Sequence, residues 1–368
     1  MVNVSTQNCH EFRIMRAVDL FAGAGGFSQA ARELGIRIVA AVENNPHACE
    51  TYHSNLVENC SDAPILFPND ITRFPVEEFM ELADIKAGAI DVLMGGPPCQ
   101  GFSTHRINNS GVDDPRNSLL LHYFSYVKAL RPRSFVVENV PGLLWSRHEK
   151  YLTNFYSLAA DAGYEVLPPQ VINAKDYGVP QNRKRVFILG FRDKAPDGLQ
   201  WPPVPTHFAP ESEEVLTKRL LSWQTASEVF SLPIALDDPN SIHMNHTSEM
   251  MKVFESTPLN GGSRQQSGRV LPCHRHHNGH KDVYGRIDPN RPGPTMTTAC
   301  INPSKGRFLH PTEHHGITVR HAARFQTFPE TFIFYGGLMA SGTQVGNAVP
   351  IRLGVAVLEA ISQALQES

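Results

Sequence analysis

The chain has 368 residues, 41% hydrophobic and 19% charged, which excludes a disordered or fibrous polypeptide and supplies a large core for two domains or one with a sizeable insertion. No apolar run reads as long enough to cross a bilayer, and residues 1–12 lack the pattern of a signal peptide, so the expected location is the cytoplasm with no membrane partner. The formal net charge of −3 conceals a local excess, because residues 251–330 hold eleven Lys/Arg against five Asp/Glu, with eight histidines besides.

Ala17-Val18-Asp19-Leu20-Phe21 is an apolar run that breaks into Ala22-Gly23-Ala24-Gly25-Gly26, and Phe27 to Leu34 then carries helical spacing closed by Gly35. Ile36 to Val42 is a second apolar run ending in Glu43-Asn44. Asn45-Pro46 follows in the order favoured at a helix start. Strand, helix and strand in this rhythm predict an α/β fold with a doubly wound, mostly parallel sheet. Glycines after the first strand let a ligand approach the backbone at a helix N-terminus, and an acidic side chain ending the second strand can take both hydroxyls of a ribose. The spacing is G-x-G-G, not G-x-G-x-x-G, so a nucleoside cofactor suits it better than a dinucleotide; the glycines would equally serve a tight turn. Asp70, after Ile65-Leu66-Phe67, reads either as an acceptor for an exocyclic amine or as the cap of the next turn.

The next buried strand, Asp91 to Met94, stops at Gly95-Gly96-Pro97-Pro98, turn chemistry that holds Cys99 out instead of packing it in. Six cysteines occur without a C-x-x-C pair, so a disulfide framework and the usual paired zinc spacing are both disfavoured, and Cys99 is the candidate nucleophile. Residues 104–117 are polar and glycine-containing, as a lid or a plain surface loop would be, and Leu119 to Leu130 is helical in pattern. Ser134 to Val137 runs straight into Glu138, a carboxylate among valines that should either pair or stay protonated.

Val166 to Ile172 and Val186 to Leu189 read as two more strands. Arg183 and Arg185 alternate at the start of the second, so both face one way, with Gln181, and could clamp a planar polar group. Regular periodicity fades after Trp201. The predicted division is therefore 1–195 for the catalytic and cofactor-binding domain, 196–325 for a smaller irregular domain, and 326–368 for a segment returning to the first. Gly261-Gly262-Ser263-Arg264-Gln265-Gln266 could read base edges. Cys273-His274-Arg275-His276-His277 lacks a closed four-ligand spacing, so no metal is expected there. Ile317 to Phe328 is helical, Gly342 to Pro350 reads as a loop, and Ile351 to Leu365 as an amphipathic helix.

Asp19 to Phe27, Gly96 to Ser103, Glu138-Asn139-Val140, Gln181 to Arg185 and Gly346 to Pro350 together resemble the ordered motifs of DNA (cytosine-5)-methyltransferases of the bacterial restriction–modification type. The resemblance implies a Rossmann-like fold that binds S-adenosylmethionine and releases S-adenosylhomocysteine. It implies that Phe21 stacks on adenine, that Gly23, Ala24 and Gly26 form the loop, that Glu43 and Asn44 hold the ribose, and that Asp70 and Ile71 meet the adenine edge. Pro98, Leu119, Asn347 and Val349 would complete that site, and residues 196–292 would be the target-recognition region. Double-stranded DNA is the implied partner, with Gln100, Ser103, Arg264, Gln265 and Arg275 as candidate contacts, and a cognate restriction endonuclease acting separately. One departure stands out: the family often has Arg-Glu where this chain has Arg320-His321, which puts an interdomain salt link in doubt.

The chemistry needs these residue types. Carbon 5 of cytosine is too electron-poor to take a methyl group until a nucleophile adds at carbon 6, and a thiolate both adds and leaves well. Charge then develops on N3 and O2, where a protonated Glu138 and the guanidinium of Arg185, backed by Arg183, could meet it. A cytosine in a duplex must first rotate out of the stack. An RNA cytosine-5 methyltransferase, a silent DNA-binding regulator and a nicotinamide oxidoreductase are the competing readings.

Overall fold

The structure, a computed structural model, describes residues 13–58, 60–98, 119–267 and 282–367. Cys99, Gln100, Ser103 and Arg275 lie outside the described residues, as do the 104–117 stretch and the histidine-rich segment after Cys273.

Eight strands form the main sheet: β1 (Arg16–Leu20), β2 (Arg37–Val42), β3 (Ile65–Phe67), β4 (Val92–Gly95), β5 (Ser134–Asn139), β6 (Tyr164–Val166), β7 (Gln170–Asn173) and β8 (Lys184–Arg192). Their order is β3-β2-β1-β4-β5-β8-β6, with β7 also on β8. The first five are parallel, whereas β8 runs antiparallel to β5, β6 and β7. The run 166–172, read as one strand, is two: Pro168-Pro169 separates β6 from β7, since proline has no N–H to give a ladder.

Alternation along each strand sends side chains to two separate cores. Ala17, Met94 and Val136 pack with α1 (Gly26–Glu33) and with Tyr52 of α2 (Pro46–Tyr52). Val18, Leu93 and Val137 pack on the other side with α3 (Val76–Leu82), α4 (Leu119–Leu130) and α5 (Glu149–Asp161). The described residues between 196 and 318 form short pieces, among them β9 (His207–Phe208), α6 (Glu213–Leu216), β10 (Leu221–Ser222), α7 (Ser227–Ser231) and α8 (Ser248–Ser256).

The chain then returns through α9 (Val319–Phe325), α10 (Gly337–Asn347) and α11 (Ile351–Glu367). Thr318 caps α9 reciprocally with His321. The expected loop at 342–347 is instead the last turns of α10. Its glycines serve close approach: a Cβ on Gly342 would lie 2.5 Å from Ile301 and one on Gly346 2.3 Å from the backbone of Thr297. By length and composition Gly337–Glu367 is apolar enough to cross a membrane, contrary to the sequence reading. It is nonetheless two helices broken at Ala348–Pro350, with α11 packed on α1 so tightly that a Cβ on Gly354 would sit 2.8 Å from that of Ala30.

Candidate active site

Strand order reverses between β1 and β4, whose carboxyl ends meet at Leu20 and Gly95. A crevice at such a point is where doubly wound sheets take ligands. A cavity of about 400 Å³ opens there.

Its floor is the turn after β1. Phe21 has a positive φ of 57°, rare for an aromatic residue, and lines the cavity. Gly23 and Gly25 are also left-handed, at φ 56° and 94°. Gly25 caps α1 without any side-chain hydrogen bond, and no side chain among the described residues accepts from the helix's first amides. A Cβ on Gly23 would meet nothing within 4 Å, whereas one on Gly26 would lie 2.6 Å from the Val349 carbonyl oxygen. The first glycine thus leaves room for a ligand and the second lets the chain's end close over the turn.

Glu43, at the end of β2, accepts from three backbone amides: Gly23 at 2.8 Å on one oxygen, and Asn44 and Asn45 at 2.9 and 2.7 Å on the other. Its carboxylate is therefore aimed before any ligand arrives. Asp70 accepts from the backbone and hydroxyl of Thr72, so it caps its turn and also faces the cavity; these bonds draw its carboxyl below its usual value. Asn44, Ile71, Pro98, Leu119, Asn347 and Val349 line the same space. Ala24 does not: its methyl is buried in the core on the α1 side.

The opposite wall carries Glu138 of β5 and Arg185 of β8, with Glu138 paired to Phe187, two residues along from Arg185. Glu138 is 7% exposed, and its Oε1 lies 2.7 Å from Arg185 Nε. Among the described residues no aligned hydrogen bond reaches this buried oxygen. A buried carboxyl oxygen without an aligned donor, facing a cavity, can meet the polar edge of a ligand. A Cβ on Gly96 would come within 3.2 Å of Glu138 Oε2, so glycine keeps this approach clear. Asn139 ties the next residues down by donating to the Pro97 carbonyl at 3.1 Å.

Arg183 corrects the expectation of two guanidiniums facing a substrate. It is fully buried and donates to the carbonyls of Met296, Gly346 and Ala348 at 2.6, 2.8 and 3.1 Å. Gln181 joins it, but as a clamp on the chain, binding Met296 N, Phe325 O and the Gln326 amide. Together they hold the return segment so that Asn347 and Val349 reach the cavity.

The family model for C-5 cytosine-specific DNA methylases matches residues 15–363. Type II methyltransferase M1.HphI of Haemophilus parahaemolyticus is 32% identical over 94% of this chain and 86% of its own length. Type II methyltransferase M.XorII of Xanthomonas oryzae is 31% identical, covering 95% and 85%. The chain belongs to the C-5 cytosine-specific DNA methylase family. Among solved structures, a DNA modification methyltransferase encoded within an Escherichia coli prophage superposes with a TM-score of 0.71 at 23% identity, over 96% of this chain and 99% of that one. The Dnmt2 methyltransferase of S. pombe gives 0.60 at 16% identity, with the same coverages. The fold is thus that of these methyltransferases.

In this DNA (cytosine-5)-methyltransferase the cavity also contains a group the sequence reading passed over. Asp19 lines it, 1% exposed, with Oδ2 accepting from the Ser28 hydroxyl at 2.7 Å. Burial pushes its carboxyl up to about 7, against the opposing pull of Ser28. The signal was available: an acid inside an apolar strand, the same mark that singled out Glu138. In the smaller region, Arg264 is buried in a 3-10 turn (Arg264–Ser267) that packs on α8, which corrects its assignment to base reading; Gln265 is exposed. Beside His321, Arg320 bonds both oxygens of Asp238, a link within the 196–325 stretch.

Proposed function

We propose that the methyltransferase modifies carbon 5 of a cytosine turned out of double-stranded DNA, using S-adenosylmethionine and a transient bond from Cys99 to carbon 6. The observation that carries this reading is the Glu138–Arg185 pair, facing a nucleoside-sized cavity to which both Pro98 and Leu119, the residues flanking the 99–118 stretch, contribute. Cys99 follows Pro98 directly in the sequence.

The residues fit the cofactor. Space over Gly23, three amides orienting Glu43 and a buried acid at Asp19 suit an adenosine joined to a cationic amino acid. Phe21, Glu43, Asp70 and Ile71 would hold the nucleoside, with Asn347 and Val349 closing over it. When bound, S-adenosylmethionine supplies an electrophilic methyl group. Glu138 would donate a proton toward N3 of the cytosine, and Arg185 would balance charge on O2, both as the Cys99 thiolate adds. Once carbon 5, made electron-rich by that addition, carries the methyl group, passing its proton to water would re-form the carbon 5–carbon 6 double bond, break the sulfur–carbon bond and return the N3 proton to Glu138.

Residues 196–325 would read the target, with Gln100, Ser103, Gln265 and Arg275 as candidate contacts. The Type II names of the relatives suggest a role beside a restriction endonuclease. Bisulfite sequencing of DNA from cells making the protein tests the whole reading: protected cytosines in one sequence context support it, and their loss in Cys99→Ala ties them to this thiol. DNA left fully convertible by the parent protein would reject it.

A further inference from the structure

A second cavity, of about 410 Å³, lies behind the first and contains none of the groups assigned to methyl transfer. It is walled by α1, α2, the start of β2 and residues 60–64. Two of its side chains, Ser28 and Tyr52, are hydrogen-bonded to each other at 2.8 Å, and Ser28 is the partner of Asp19 at 2.7 Å. Asp19 faces the first cavity, so one hydrogen-bonded pair forms the partition between the two.

The partition has no slack. A Cβ on Gly25 would fall 2.3 Å from Leu56 Cδ1 and 3.0 Å from the Tyr52 ring, and both of these side chains line the second cavity. Gly25 is also the left-handed residue that starts α1 beneath the cofactor turn. Anything that pushes Tyr52 or Leu56 from behind therefore presses on that turn, because close-packed interiors transmit displacement.

The lining specifies a ligand class. Ile36, Ile38 and Leu56 form an apolar floor, while Arg32 and Arg37 stand on exposed positions at the edge. Among the described residues Arg37 is paired with Asp62 alone, at 3.9 Å with both side chains more than half exposed, and Arg32 reaches the Asn55 carbonyl at 3.4 Å. Exposed pairs this long contribute little, so either guanidinium can turn to a new anion. We propose that this cavity binds a small organic anion with an apolar body, and that its occupant weakens cofactor binding through Tyr52, Ser28 and Leu56. The coupling rests on the S-adenosylmethionine reading of the first cavity.

Octanoate serves as the probe. Saturation-transfer NMR on the full chain should show it bound, and the double variant Arg32→Glu/Arg37→Glu should abolish the signal. Calorimetric titration of S-adenosylhomocysteine should give a Kd raised about fivefold or more by saturating octanoate. Tyr52→Phe should keep the octanoate signal and shrink that shift, because it removes the hydroxyl that joins the two walls. An octanoate signal that is absent, or survives charge reversal, overturns the site. If S-adenosylhomocysteine binds the parent equally well with and without octanoate, the coupling is wrong while the cofactor reading stands. If S-adenosylhomocysteine never binds the parent, the cofactor reading and the coupling both fail, and the NMR result alone decides the site.

Discussion

Arg183 and Arg185 are two residues apart at the start of β8, yet the molecule uses them in different ways. Arg183 is sealed among three backbone carbonyls and fastens the end of the chain to the sheet. Arg185 lies against a carboxylate at the cavity wall, 2.7 Å from a Glu138 oxygen that still lacks an aligned donor. Side-chain type and spacing are shared, so the neighbours decide the role: backbone carbonyls of the return segment make Arg183 a fastener, and a carboxylate lining the cavity leaves Arg185 able to respond to a substrate.

This contrast can be broken by experiment. Arg185→Ala should lower methyl transfer by roughly 10²–10³-fold, the usual cost of losing a donor to developing charge, with the melting temperature almost unmoved. Glu138→Gln should behave likewise. A large fall in melting temperature for Arg185→Ala would erase the distinction. Arg183→Ala should do the reverse in kind, losing about 3 kcal/mol or more of folding stability by stranding buried carbonyls, as read in urea unfolding. Arg183→Lys should recover little, because one ammonium cannot span three acceptors in the guanidinium's plane.

A third test uses acid, which should strike the fastened parts before the cavity pair. His310 and His321 pack beside Phe230 with ring centroids 4.6 and 4.9 Å away. Burial holds them neutral, lowering His310 to about 4 and His321 to about 2. The unfolded chain takes up these protons near pH 6.5 and the folded chain does not, so stability is complete above that value and falls as pH drops toward 4. Urea midpoints should decline over that window, less steeply in His310→Phe. The smallest effect is expected from Thr318→Ala, which removes the α9 cap at a cost of about 1 kcal/mol and should leave turnover intact.

Much of this site was legible in the sequence because its chemistry is local. Glu138 declared itself as an acid among valines, and Glu43 as an acid ending an apolar run before a capped helix. What escaped depends on distant partners. The glycines of α10 looked like loop residues, since nothing nearby reveals that Thr297 and Ile301 press on them. Arg183 shared the alternation of Arg185, and only the arrival of Met296 and Gly346 turns it away from the cavity. Asp19 bore the same mark as Glu138 but stands ahead of a glycine turn that accounted for the segment without it.

The closure of the cavity by Asn347 and Val349 has a temporal consequence. While the ribosome still holds α10, the parallel strands are already synthesised but the cavity lacks a wall. The protein should therefore be inert toward DNA until α10 has emerged and docked. An enzyme assembled from two polypeptides, divided ahead of α10, should switch on only when the short piece is supplied.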